Sequence, residues 1–148
     1  GVGSGEAGVA GWACVGPGAT RSPHAVRRIP GGWASGSAAA VADVMVPIAF
    51  VSQPAASVIR PAAFCGVLGY KASFGELSLS GIRPLAESLD TLGILARSVA
   101  DIALLRSVLL AGPHRAEVTP LPAPPKIGVC RTAQWTLASP PSQLPIEA

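Results

Sequence analysis

From Gly31 to Ala42 only one residue, Trp33, is larger than valine; the run reads Gly31-Gly32-Trp33-Ala34-Ser35-Gly36-Ser37-Ala38-Ala39-Ala40-Val41-Ala42. So little side chain lets backbone approach backbone closely, and it suits a Gly/Ser loop that opens a helix with a small-residue packing face. The hydroxyls of Ser35 and Ser37 ahead of the alanines predict an N-cap there. Val46 to Val51 follows as a short apolar run, expected to be a buried strand. Ser52 to Ser57 then reads as a turn. A short helix is expected from Pro61 to Cys65, ending near Gly66, and a second strand from Val67 to Lys71.

The rest of the chain divides by composition. Residues 1–20 are rich in Gly and Ala without a sustained period. They include a literal GxGxxG, Gly3 to Gly8, but a dinucleotide loop needs a strand before it and a helix after it, so phosphate binding is not expected. Residues 21–32 carry the breakers Pro23, Pro30, Gly31 and Gly32. The clearest helix spans Ser98 to Leu110. Its start, Ser98-Val99-Ala100-Asp101, is a capping box with Asp for Glu, and Gly112-Pro113 is expected to end it. Prolines 113, 120, 122, 124 and 125 mark a linker, and Lys126 to Cys130 reads as a strand beyond it. The expected organisation is an N-terminal segment 1–20, a core region 21–112, a linker 113–125 and a tail 126–148 begun by a strand.

Composition narrows the function. Of the 148 residues, 49% are hydrophobic and 13% charged, which suits a buried α/β interior and argues against disorder. The net charge of +3 comes from scattered Lys and Arg with no basic stripe, so no nucleic-acid partner is expected. Cys14, Cys65 and Cys130 are far apart and odd in number, as for reduced thiols in a cytoplasmic protein. No CxxC or HxxxH spacing exists, so no metal and no cofactor is expected. The apolar run Ala38–Val51 contains Asp43 and is too short to span a membrane, and no basic-then-apolar leader is evident.

Chemistry points to the second small-residue turn, Ser52-Gln53-Pro54-Ala55-Ala56-Ser57-Val58-Ile59-Arg60-Pro61. Its small side chains let backbone N–H groups converge beside the serine, which is what a nucleophile facing a developing oxyanion requires. A packed turn with a capping serine is the alternative reading of the same residues.

Together these stretches resemble the amidase signature family, whose members carry a GGSSSGSAAAVA-like stretch and then GTQTxGSVIRPAAFCG. The resemblance runs on through Gly69-Tyr70-Lys71, Gly81 to Gly93 and Ala96 to Leu105, and as far as Pro124 to Val129, covering about residues 16–135. It implies a fragment of an α/β fold, a mixed β-sheet core flanked by helices, cut from a longer enzyme. It implies an amidase that cleaves C–N amide bonds of a small-molecule substrate through an acyl-serine intermediate, using a Ser–Ser–Lys triad. Ser57 falls at the nucleophile. Trp33 falls at the relay serine, which the family usually precedes with a cis peptide. The family's lysine falls ahead of Gly1, and Lys71 matches only a structural lysine. The oxyanion hole falls on the N–H groups of Ala55, Ala56 and Ser57, while Pro54, at a further donor position, has none. Ala56 stands where many members have Gly.

Trp33 has a donor but no acceptor, so it cannot relay a proton. Impaired chemistry is therefore expected, and the second reading is a degenerate, non-catalytic fragment that at most binds or packs against partners. Candidate partners are the flanking segments of a longer enzyme or a second copy of the chain, and exposed sheet edges would make it poorly soluble alone. Ser35 is expected to cap or shape its loop, Arg60 and Asp90 to form structural ion pairs, and Cys65 to fill the core. A Ser57–His24–Asp90 triad is not expected, because no GxSxG elbow surrounds the serine.

Overall fold

The computed structural model describes residues 18–111 and 118–147. The Gly3–Gly8 motif, Cys14 and the expected helix end at Gly112-Pro113 lie outside the described residues. The chain divides into two compact units, one up to Val118 and the other from Thr119.

The first unit is built on β3 (Thr91–Ala96), a strand buried along its whole length. It is flanked by β1 (Ile48–Gln53) and β2 (Leu68–Lys71), both antiparallel to it, in the order β1-β3-β2. Ile48 pairs with Ala96 and Gln53 with Thr91 on one side; Leu68 pairs with Ala96 and Lys71 with Gly93 on the other. Helices α1 (Ser35–Ala42) and α2 (Ile59–Cys65) join Val51, Val58 and Leu95 in one buried cluster. Ile94 and Ala96 point the opposite way, as alternation along a strand requires, and pack with Ile102 of α3 (Val99–Leu109). Helices thus flank the sheet on both faces, the α/β arrangement expected, with antiparallel pairing throughout the described strands.

Close packing explains the small residues. A methyl group on Gly93 would meet Val58 Cγ2 at 2.6 Å and the Tyr70 carbonyl oxygen at 2.8 Å, and one on Gly69 would meet Ala62 Cβ at 2.8 Å. The glycines therefore let the start of α2 settle directly on the sheet. Arg97 ties the two halves of this layer, donating from Nη1 to the carbonyls of Val41 and Val46, each at 2.8 Å.

The elements depart from expectation in instructive ways. β1 starts two residues late and runs on through Gln53, because pairing with β3, not hydrophobicity alone, sets its span. β3 itself was not foreseen as a strand. Helix α1 begins at Ser35 with Ala34 at the cap position and no side-chain cap, so the predicted serine cap is absent. The capping box of α3 is present: the Asp101 N–H donates to Ser98 Oγ at 3.1 Å, and the Ser98 hydroxyl donates to Asp101 Oδ2 at 2.7 Å. In the second unit Lys126–Cys130 takes no regular structure, with Ile127 83% exposed, and the expected strand does not form because no strand among the described residues pairs with it. A 3-10 turn (Trp135–Leu137) and α4 (Pro140–Glu147) occupy a tail that carries too many prolines to read as helical.

A polar clasp holds α3 to the segment after β2. Arg106 donates from Nε to Glu76 Oε1 at 2.9 Å and to the Tyr70 hydroxyl at 2.9 Å, and its Nη2 pairs with Glu76. The Ser73 N–H at 3.0 Å and the Arg106 guanidinium hold the Glu76 carboxyl below its ordinary range, with the Tyr70 hydroxyl adding to them. A carboxylate depressed in the folded state stabilises the fold above its unfolded range, and that contribution is lost as pH falls through the folded value. Glu76→Gln is therefore expected to lower stability at neutral pH and to flatten the acid limb, as read by denaturant unfolding across pH. Ile94→Ala, in the middle of β3, is expected to cost about 2–5 kcal/mol in the same assay.

Candidate active site

Ser57 lies half-buried in the turn that carries the chain from the end of β1 into α2. The next residue, Val58, is fully buried against Gly93, so packing fixes the serine's place in the fold to within one residue. Pro54 is half-buried, and Ala55 and Ala56 are exposed. Among the described residues, the N–H groups of Ala55, Ala56 and Ser57 meet no hydrogen-bond acceptor. The Ala56 carbonyl is used, accepting from the Arg60 N–H at 3.0 Å as the helix begins.

The interior of the turn is filled by Gln53, which was not singled out from the sequence. Its side chain is buried, with Oε1 accepting from the N–H groups of Val58 at 2.6 Å and Ile59 at 3.2 Å. Its Nε2 donates to the Ala55 carbonyl at 2.6 Å. Its own carbonyl accepts from the Thr91 hydroxyl at 3.0 Å, tying the turn to β3. No residue pattern marks Gln53, because its partners become neighbours only when the turn closes.

The two small-residue loops meet. A methyl group on Gly31 would lie 2.5 Å from the Phe64 ring, and one on Gly32 would lie 3.0 Å from Pro61 Cγ and 3.3 Å from Arg60 Nη2. Gly31 also has φ +103°, a conformation that favours glycine. The loop bearing Trp33 is thereby held against the first turns of α2, the helix that Ser57 precedes. Trp33 is half-buried, and the Gly32–Trp33 peptide is trans, like every peptide among the described residues. Ser35 shapes this loop: its hydroxyl donates to the Gly32 carbonyl and accepts from the Gly32 N–H at 3.4 Å.

The other candidates make contacts of their own. The Lys71 ammonium donates to the Ala72 carbonyl at the far end of β2. Lys126 belongs to the second unit. His24 Nε2 lies 3.0 Å from the Cys65 carbonyl oxygen, and Cys65 is buried with its Sγ against the Pro30 carbonyl, its thiol pushed up by burial. Asp90 is not in an ion pair as expected; its Oδ2 accepts the N–H groups of Leu85 at 2.7 Å and Ala86 at 2.9 Å. Its Oδ1 is buried with no partner among the described residues. Asp90 immediately precedes Thr91, the residue that pairs with Gln53 at the end of β1. A cleft of about 520 Å³ between residues 20–26 and α1, lined by Arg21, Val26, Ala39, Asp43 and Met45 among others, includes neither Trp33 nor Ser57. Among the described residues no His/Cys/Asp/Glu group is placed to hold a metal ion, and no helix is long and apolar enough to cross a membrane.

The Amidase family model matches residues 10–146, and the chain belongs to that family. It is 46% identical over 107 residues to a glutamyl-tRNA(Gln) amidotransferase subunit of Thermus thermophilus, covering 72% of this chain and 22% of that one. Among solved structures it resembles the peptide amidase of Stenotrophomonas maltophilia (TM-score 0.60, 38% identity, 68% of this chain and 20% of that one). It also resembles the corresponding glutamyl-tRNA(Gln) amidotransferase subunit of Thermotoga maritima (TM-score 0.59, 43% identity, 61% of this chain and 20% of that one). The chain thus spans about a fifth of the length of the relatives it matches.

Replacing Asp90 by Ala is expected to leave the Leu85 and Ala86 N–H groups unsatisfied and to cost about 1–3 kcal/mol in denaturant unfolding.

Proposed function

We propose that Ser57 is the nucleophile of an amide-cleaving site whose chemistry is weakened in this chain at two positions, Trp33 and Pro54. In this reading Ser57 Oγ attacks the carbonyl of a small-molecule amide. The C–N bond breaks, the amine leaves with a proton, and water then releases the acid from the acyl-serine. The free N–H groups of Ala55, Ala56 and Ser57 form the oxyanion hole. The observation that carries the reading is that these three consecutive N–H groups, ending at a serine next to the buried Val58, meet no acceptor among the described residues.

The weakening follows from residue chemistry. A serine at position 33 would accept a proton from Ser57 and pass one on; an indole N–H can only donate. Pro54 removes a donor from the same turn, and loss of one such donor costs about 10²- to 10³-fold in rate. Neither Lys71 nor Lys126 matches the position of the family's lysine, and the Lys71 ammonium is engaged by the Ala72 carbonyl. The second reading, a non-catalytic module, is favoured by these same substitutions. A cytoplasmic setting, and assembly with flanking amidase segments or with a second copy of the chain, accompany the first reading as proposals.

Covalent labelling by an activated fluorophosphonate tests the site. Labelling of the native chain is expected to be slow, to rise in the Trp33→Ser, Pro54→Thr double variant, and to vanish on Ser57→Ala. Rapid labelling of the native chain would overturn the weakening. Labelling that persists in Ser57→Ala would overturn the nucleophile.

A further inference from the structure

Gln53 makes three side-chain hydrogen bonds within a stretch of seven residues, and their directions have a consequence for Ser57. The amide can be oriented only one way: its oxygen faces two N–H donors, at Val58 and Ile59, and its nitrogen faces a carbonyl, at Ala55. In a planar trans peptide the C=O and N–H point in opposite directions. With the Ala55 carbonyl drawn to the buried Gln53 side chain, the Ala56 N–H of the same peptide is aimed away from it, and Ala56 is exposed. The N–H groups of Val58 and Ile59 are consumed inward, so the donors left beside Ser57 are those that precede or belong to it.

We propose that Gln53 is the positioning residue of this turn, its carboxamide setting the Ala55–Ala56 peptide so that the Ala56 N–H faces the acyl oxygen of a substrate at Ser57. The proposal rests on the reading of Ser57 as nucleophile. It requires a carboxamide specifically. A carboxylate at position 53 would still accept from Val58 and Ile59 but would repel the Ala55 carbonyl, which would release that peptide. An alanine would release both arms. The Thr91 hydroxyl holds the Gln53 backbone to β3 and leaves the side chain free to serve the turn.

Gln53→Glu and Gln53→Ala, made in the Trp33→Ser, Pro54→Thr background, separate the two arms. Amide exchange at Val58 and Ile59 is expected to stay slow in Gln53→Glu and to accelerate at least about fivefold in Gln53→Ala. Fluorophosphonate labelling of Ser57 is expected to fall about 10²-fold in both variants, the loss of one oxyanion donor. A directing role, unlike a purely structural one, lowers labelling in Gln53→Glu while the amides stay protected. Parental labelling in Gln53→Glu would overturn the proposal, as would unchanged exchange in Gln53→Ala. If the parental background itself does not label, the reading of Ser57 fails separately. The scalar coupling across the Gln53 Nε2–H to Ala55 carbonyl hydrogen bond then decides the clamp: its presence upholds the set direction of the peptide, and its absence overturns it.

Discussion

The contact of Val58 with Gly93 is the constraint on which the rest of the first unit turns. Any side chain at position 93 would collide with Val58 and with the Tyr70 carbonyl, so the start of α2 can approach β3 only because glycine is there. That approach sets the depth of α2 on the sheet and hence the place of the turn before it. It also brings Pro61 and Phe64 up to Gly32 and Gly31, which seats the Trp33 loop. Packing of this kind tolerates little change in volume, because interiors are as dense as organic crystals.

Within this frame the proposed site has a part that keeps the residues it needs and a part that does not. The serine, its neighbouring N–H groups and the buried carboxamide beneath them are arranged by short-range packing. In the proposed reading, Trp33 and Pro54 are the positions where proton transfer and one donor would have come from. Belonging to the amidase family therefore says what the scaffold is; the side chains at these two positions bear on how well it would work.

Much of the scaffold was legible in the residues. The α3 capping box, the Gly66 helix end and the small-residue faces of α1 and α2 all follow from local chemistry, and Gly66 indeed has φ +66°. β3 was missed because Thr91 to Ala96 neither alternates nor stands between clear breakers; a strand buried on both faces has no polar side to betray its period. The Lys126–Cys130 segment failed for the converse reason, since apolar residues in an extended stretch make a strand only when a partner strand accepts their hydrogen bonds. Ser57 and the small turn were visible from residue types and from the family resemblance. Gln53 was not, because a buried amide is recognised by the backbone groups it meets, and those become neighbours only when the turn closes.

That closure is local in the chain. Gln53 reaches Val58 and Ile59 across five and six residues, whereas the strand pairing that carries the turn joins residues 38 apart, Gln53 and Thr91. Closing a short loop sacrifices little chain entropy, and contacts between near neighbours form quickly. The hydrogen bonds that shape the turn around Ser57 thus need far less chain closure than the sheet that carries it. The turn's shape is written in seven consecutive residues, and the distant strand β3 supplies the support on which it sits.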